Sequence, residues 1–288
     1  MPGTTRQRGF TLVELVMVIV IMGIVGTMVS VFMKSPIDAY FATLRRAALS
    51  DVTDTAVRRM ARDVRGALPN SLRPLSIGTC IEFIPVKFGG RYRAEPDSTG
   101  AGNTLDFSAA DDSFDMLGSN SVLPNQAIVA GDLIAVYNLG ISGADVYNSD
   151  NVSAVISPGV EAGSLANESK INIDSKLFPL ASGGNRFHVI PAAEQAVSYV
   201  CTTVGTTNGD GSGILYRYVR PRNATFSCPT TLSGVAGATE LARNVSTCTF
   251  DYSGTDLHRN ATARINLGIK KGDETVRLYQ EVHVDNTP

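Results

Sequence analysis

The sequence has no tryptophan, only three histidines and four cysteines, and charged residues make up just 18% of it. None of the cysteines (Cys80, Cys201, Cys228 and Cys248) falls in a C-x-x-C unit, and histidine occurs only at His188, His258 and His283, so a zinc cluster is a poor reading. A formal net charge of -2 leaves no electrostatic footprint for nucleic acid over the whole chain, and no nucleic-acid partner is expected. The low charge content, with 27 Gly and 13 Pro, argues against a long coiled coil and for a loop-rich body facing water. Catalytic signatures are missing too. There is no nucleophile elbow, phosphate loop or H-E-x-x-H run, so no enzyme activity, catalytic residue, cofactor or metal is expected. Asp111, Asp112 and Asp115 lack the regular oxygen spacing of a calcium loop and read as a solvated turn. His188 and His283 lie in alternating runs and read as surface-facing strand residues.

One stretch is short of charge for a different reason. From Phe10 to Met33 the chain reads FTLVELVMVIVIMGIVGTMVSVFM, with Glu14 as its single ionisable group. As a helix this run is about 36 Å long at about 1.5 Å per residue, enough to cross a hydrocarbon layer about 30 Å thick. Arg6 and Arg8 precede it, whereas Lys34 is the only base close behind it, a bias that keeps the N-terminus cytoplasmic and the rest outside. The run is longer than the apolar part of a secretory signal peptide, and its far end, Val31-Phe32-Met33-Lys34, offers no small-x-small cleavage site. A simple anchor leaves Glu14 unexplained, because a carboxylate in lipid costs a few kcal/mol unless paired. A cut between Gly9 and Phe10 would create a partner: the α-amine of Phe10 on an adjacent, staggered helix. Gly23 and Gly26 do not form G-x-x-x-G and read as close-packing positions.

The run Arg8-Gly9-Phe10-Thr11-Leu12-Val13-Glu14 before a long apolar helix resembles the class III signal of type IV prepilins and type II secretion pseudopilins. The resemblance implies that a membrane prepilin peptidase cuts after Gly9 and methylates Phe10, and that Glu14 engages the N-terminus of a neighbouring subunit. It also implies a type IV pilin-like α+β fold: a long N-terminal helix, transmembrane in its first half, packed on an antiparallel β-rich globular head. The expected organisation is a cytoplasmic leader over 1–9, a transmembrane helix over 10–33, a periplasmic amphipathic helix over 34–68 and the head over 69–288. The end of the helix (Arg58 to Arg65), the run Thr239 to Val245 and the C-terminal run Val276 to Pro288 resemble the larger minor pilins and pseudopilins, closest to a biogenesis protein of the mannose-sensitive haemagglutinin (MSHA) pilus. The implied partners are other minor pilins, the major pilin, the inner-membrane assembly platform and membrane lipid. The implied role is priming of filament assembly; a tip-located adhesin and a minor pseudopilin of a secretion system are the alternatives.

Beyond the apolar run, Ser35-Pro36 predicts a bend or restart. After it Ile37, Phe41, Leu44, Ala48, Val52, Met60, Val64 and Leu68 form an apolar stripe, with Asp54–Arg58 and Arg59–Asp63 as pairs four apart, and Gly66 and Pro69 at the helix end. Strands are predicted over 79–86, 103–107, 132–137, 186–190, 196–201, 213–219, 248–252, 263–269 and 275–284, with a short helix over 239–245. The Asn208-Gly209 pair is a strong turn signal, and 137–176 reads as a long surface excursion. If the head lies outside the cytoplasm, its four cysteines favour disulfides, with three pairings open.

Overall fold

A computed structural model describes residues 9–74, 78–225, 227–253 and 260–288. Residues 1–8, including Arg6 and Arg8, and His258 lie outside the described residues. The chain divides into two units, one ending at Ala48 and one from Leu49 to Pro288.

The helix α1 spans Leu12–Arg65. It runs through Pro36 rather than restarting there, because proline removes a single N–H bond and the flanking residues keep theirs. In the first unit its large apolar side chains, from Leu12 to Phe41, are exposed. The small polar residues along it are satisfied internally: Thr27 donates to the Ile24 carbonyl at 2.8 Å and Ser30 to that of Gly26 at 2.9 Å. In the second unit α1 buries Leu49, Thr53, Ala56, Val57, Met60, Ala61 and Val64, spaced by the 3.6-residue period. Val52, predicted in the stripe, faces outward at 41% exposure. The helix ends at Arg65, and Leu68 instead enters a separate apolar cluster.

The strands beyond α1 build two antiparallel sheets and a small hairpin. In chain order they are β1 (Arg73–Pro74), β2 (Cys80–Phe83), β3 (Phe88–Arg91), β4 (Asp111–Met116), β5 (Leu133–Val136), β6 (Val152–Ala162), β7 (Ser169–Lys176) and β8 (Arg186–Ile190). After these come β9 (Ala196–Thr202), β10 (Thr206–Thr207), β11 (Asp210–Gly211), β12 (Gly213–Arg220), β13 (Ala238–Ser253), β14 (Asn260–Lys271) and β15 (Glu274–Asp285). The first sheet has the order β1-β2-β9-β12-β13-β14-β15, and the second β3-β8-β5-β6-β7-β4. All of β3 to β8 therefore lies in the chain between β2 and β9, so the second sheet is an insertion into the first.

One face of the first sheet meets α1. Ile81, Phe83, Val197, Tyr199, Leu215, Phe250 and the alternate residues Ala261, Ala263, Ile265, Leu267 and Ile269 share a core with the helix stripe. That alternation is what a strand with one buried face produces. Cys80, Val200, Tyr216 and Leu232 cluster apart from this core. The second sheet has its own core around Phe114, Ile134, Ile171, Phe178 and Phe187. A third cluster, with Leu68, Ile84, Ala135, Tyr147, Ile190 and Ala196, joins the two.

Several expectations need correction. The stretch 137–176 is not a surface excursion: it holds β6, β7 and a 3-10 turn over Val146–Asn148. Ile171 and Ile173 are fully buried there, but the Ser, Asn and Asp residues around them hide the alternation. The run 239–245 is not a helix but part of β13, because pairing with β12 along the run, joined by β14 at Val245, overrides its local helix propensity. The run 103–107 forms no strand; its N–H and C=O groups bond irregularly, Leu105 N–H to Arg93 O and Asn103 O to Asp115 N–H. At the Asn-Gly turn the sequence reading holds, with Asn208 at φ 52 and Gly209 at φ 88 between β10 and β11.

Candidate functional site

The candidate site begins where the helix begins. Gly9 and Phe10 precede α1, and the Phe10 side chain is 82% exposed. Thr11 caps the helix: its Oγ1 accepts the Glu14 N–H at 3.3 Å and its carbonyl accepts the Leu15 N–H at 3.2 Å. Thr11 and Glu14 thus stand in the S/T-x-x-E spacing of a capping box, which the sequence reading overlooked although the pattern is visible in it. The carboxylate also lies in the first turn, where the positive end of the helix dipole favours an anion. Glu14 is exposed, so its carboxylate is free to meet a group from outside the chain. A Cβ built at Gly9 meets nothing within 4 Å, and the same is true at Gly23 and Gly26. The fold of the single chain therefore does not itself demand glycine at these three positions.

Among the described residues, α1 is the helix long and apolar enough to cross a membrane. Its far end carries the arginine-rich face. Asp54 accepts from Arg58 Nε at 2.6 Å, as the spacing predicts. Asp63 does not turn to Arg59. Its Oδ2 accepts the Tyr199 hydroxyl at 2.7 Å and Arg217 Nε at 3.1 Å, and Arg217 also grips Glu194 with Nη1 at 3.1 Å and Nη2 at 2.7 Å. Burial and the Asp63 bond push the Tyr199 phenol well up. For Arg217, burial disfavours the cation, but Glu194 and Asp63 outweigh it and raise its pKa. This network fastens the last turns of α1 to β9 and β12.

The cysteines pair as Cys80–Cys228 and Cys201–Cys248, each with a Cα–Cα distance of 6.3 Å. The first ties β2 to the segment between β12 and β13; the second links β9 to β13 beyond the stretch of β13 that pairs with β12.

Sequence reasoning missed one buried ionic centre. Glu82 is fully buried; its Oε1 accepts Arg73 Nε at 2.9 Å and Nη2 at 2.6 Å, and its Oε2 accepts Ser198 Oγ at 2.9 Å and Arg220 Nε at 2.7 Å. The Arg73 guanidinium lies 3.4 Å from the Tyr147 ring centroid. The signal was present: an acid between apolar neighbours in TCIEFIPV must be partnered if the strand is buried on both faces.

The remaining candidates occupy three kinds of environment. Asp115 is not solvated but fully buried, and its Oδ2 accepts the N–H groups of Asn103 at 2.9 Å and Ser164 at 3.1 Å. Among the described residues no group of His, Cys, Asp and Glu is arranged to hold a metal ion. His283 is exposed on β15, as expected. His188 is half-buried on β8, more enclosed than expected, and burial, helped by the charge of Arg186, lowers its pKa to about 4.

Residues 4–30 match the family model of the prokaryotic N-terminal methylation motif. No curated protein and no solved structure is significantly similar to the chain. The N-terminal segment is thus a methylation motif of the type IV pilin-like class, carried on a helix that fits a single-pass membrane anchor.

Proposed function

We propose that this protein is a minor pilin-like subunit that helps to start assembly of a type IV pilus-type filament, of the MSHA kind, and that it has no enzymatic role. The observation that carries this reading is Glu14: it is the single ionisable group in the apolar run, exposed, and four residues from Phe10. In this reading the prepilin peptidase cuts between Gly9 and Phe10 on the cytoplasmic side and methylates the new amine. Methylation leaves that amine cationic. Phe10 and Glu14 are separated by about 6 Å along a helix, so a neighbour shifted by that distance brings its amine level with the carboxylate. In lipid such a pair is directional where apolar packing is not, and it fixes the axial register of adjacent helices. Gly23 and Gly26, with open space around them, let those helices approach closely. The head, periplasmic before assembly, supplies the contacts that select other minor pilins, the major pilin and the inner-membrane platform.

Mass spectrometry of the protein extracted from the membrane tests the reading. The mature chain should begin at methylated Phe10, Gly9→Val should leave the precursor uncut, and Glu14→Ala should lower filament number while leaving cleavage intact. An intact leader, or a cut beyond the apolar run, overturns the proposal. Normal piliation with lost adhesion on deletion would favour a tip adhesin, and lost enzyme export a secretion pseudopilin.

A further inference from the structure

The first sheet ends on an unusually long open edge. β15 has 12 residues, and among the described residues its one strand partner is β14, so from Thr275 to Asp285 its other side offers N–H and C=O groups without a strand partner over about 36 Å. The other sheet edges are shorter: β1 has 2 residues, β3 has 4 and β4 has 6. Long open edges invite another chain unless they are covered, bulged, charged or broken by proline; β15 has no bulge or proline, and its exposed charges Arg277, Glu281 and Asp285 alternate with the residues that face α1. Its pairing with β14 runs in unbroken register from Glu274 to Asp285.

Beside this edge lies a cleft of about 490 Å³ between the last turns of α1 and residues Leu278 to Gln280. Buried Val57 and Ala61, with half-buried Leu278, give it an apolar floor. Arg58, Arg62 and Arg65 line it from the helix, one above another across about 10 Å. Arg58 is neutralised in part by Asp54; Arg62 and Arg65 have no ion-pair partner among the described residues. A strand added to β15 would run beneath this flank, with every second side chain facing it.

We infer that the β15 edge and this cleft receive an extended segment of a partner protein by strand addition. The segment carries an apolar residue between two acids on one face, in the spacing acid-x-apolar-x-acid. Backbone pairing supplies the affinity and the alternating side chains supply the choice of partner. The apolar residue covers Leu278, and the acids, about 13 Å apart, meet the guanidinium groups at the two ends of the arginine row. A second copy of this chain is a poor occupant. Two β15 edges joined antiparallel would keep both helices on the same face, and their arginine rows would confront each other across the seam. The inference does not depend on the filament reading, because the edge and the cleft are properties of the folded head.

The test uses the full chain in detergent micelles and the peptide acetyl-TETVTET-amide, with amide hydrogen exchange as the readout. The peptide should slow exchange along β15, and the double variant Arg62→Glu, Arg65→Glu should weaken binding at least about tenfold, given the modest worth of each exposed pair. The same peptide N-methylated at alternate positions should lose binding, whatever the variants do to folding. Protection away from β15, unchanged binding in the charge-reversed variant, or no binding at millimolar peptide overturns the inference. So does concentration-dependent protection of β15 without peptide, which would assign the edge to a second copy.

Discussion

Replacing Glu82 by alanine should be among the most damaging single changes in the head. The carboxylate is fully buried and holds Arg73 and Arg220 through three guanidinium hydrogen bonds, with Ser198 as a fourth donor. Without it, two guanidinium groups whose side chains are 21% and 15% exposed lose their buried countercharge; breaking a buried ion pair costs about 3–5 kcal/mol, and the partial exposure of the arginines places this one towards the lower figure. Arg73 retains the Asn223 and Ala224 carbonyls and the Tyr147 face, none of which carries a full negative charge, and the Asp145 carboxylate acts on it from a distance. The Tyr147 hydroxyl donates to the Ser71 carbonyl at 2.9 Å, so the cluster links the inserted sheet to the chain leaving α1, and its loss should loosen both. The assay is urea unfolding of the full chain in detergent with disulfides intact, read from tyrosine near-ultraviolet signal. The loss should change little between low salt and about 0.5 M salt, because ions do not screen a buried pair. Arg220→Met, which leaves Glu82 paired with Arg73 and Ser198, should cost less. A loss below about 1 kcal/mol for Glu82→Ala, or a loss that salt abolishes, would refute the assignment of this cluster as a buried lock.

Two further predictions concern the head. Removing the Cys201–Cys248 bridge as a double alanine variant reopens a loop of 47 residues and should lower stability by about 4 kcal/mol in the chain-entropy model, measurable as a shift in the urea midpoint. His188 should make the fold acid-sensitive. Its folded pKa, about 4, lies below the ordinary 6.5, so the unfolded chain binds the proton first and stability falls as pH drops from 6.5 towards 4. The contribution approaches about 3 kcal/mol at the acid end, and His188→Gln should flatten that part of the pH–stability curve. An unchanged slope would show that the imidazole is not buried neutral.

How much of this could be read from sequence depended on whether the determining interactions are local. The apolar run and its lone acid need only residues within one helix, as does the Asp54–Arg58 pair, and the Asn208-Gly209 turn needs only its own hairpin. Strands such as 186–190 were legible because their alternation is clean. The run 239–245 misled because its helix propensity is real but weaker than its strand ladder with β12, and 137–176 misled because its apolar residues are few and its outward ones are polar. At the N-terminal site Gly9, Phe10 and Glu14 were named from sequence, while the Thr11 cap stood in plain view and went unread.

The sequence by itself determined the N-terminal helix with its single acid and the mainly β character of the head, since composition and short-range periodicity specify both. Only the tertiary structure decided which cysteines join, that the second sheet is inserted between β2 and β9, that Asp63 turns to Tyr199 and Arg217 rather than to Arg59, and that β15 is left as an open edge. Each of these is a choice among partners far apart in the chain. Such choices depend on which surfaces can be buried together, and no local pattern encodes them.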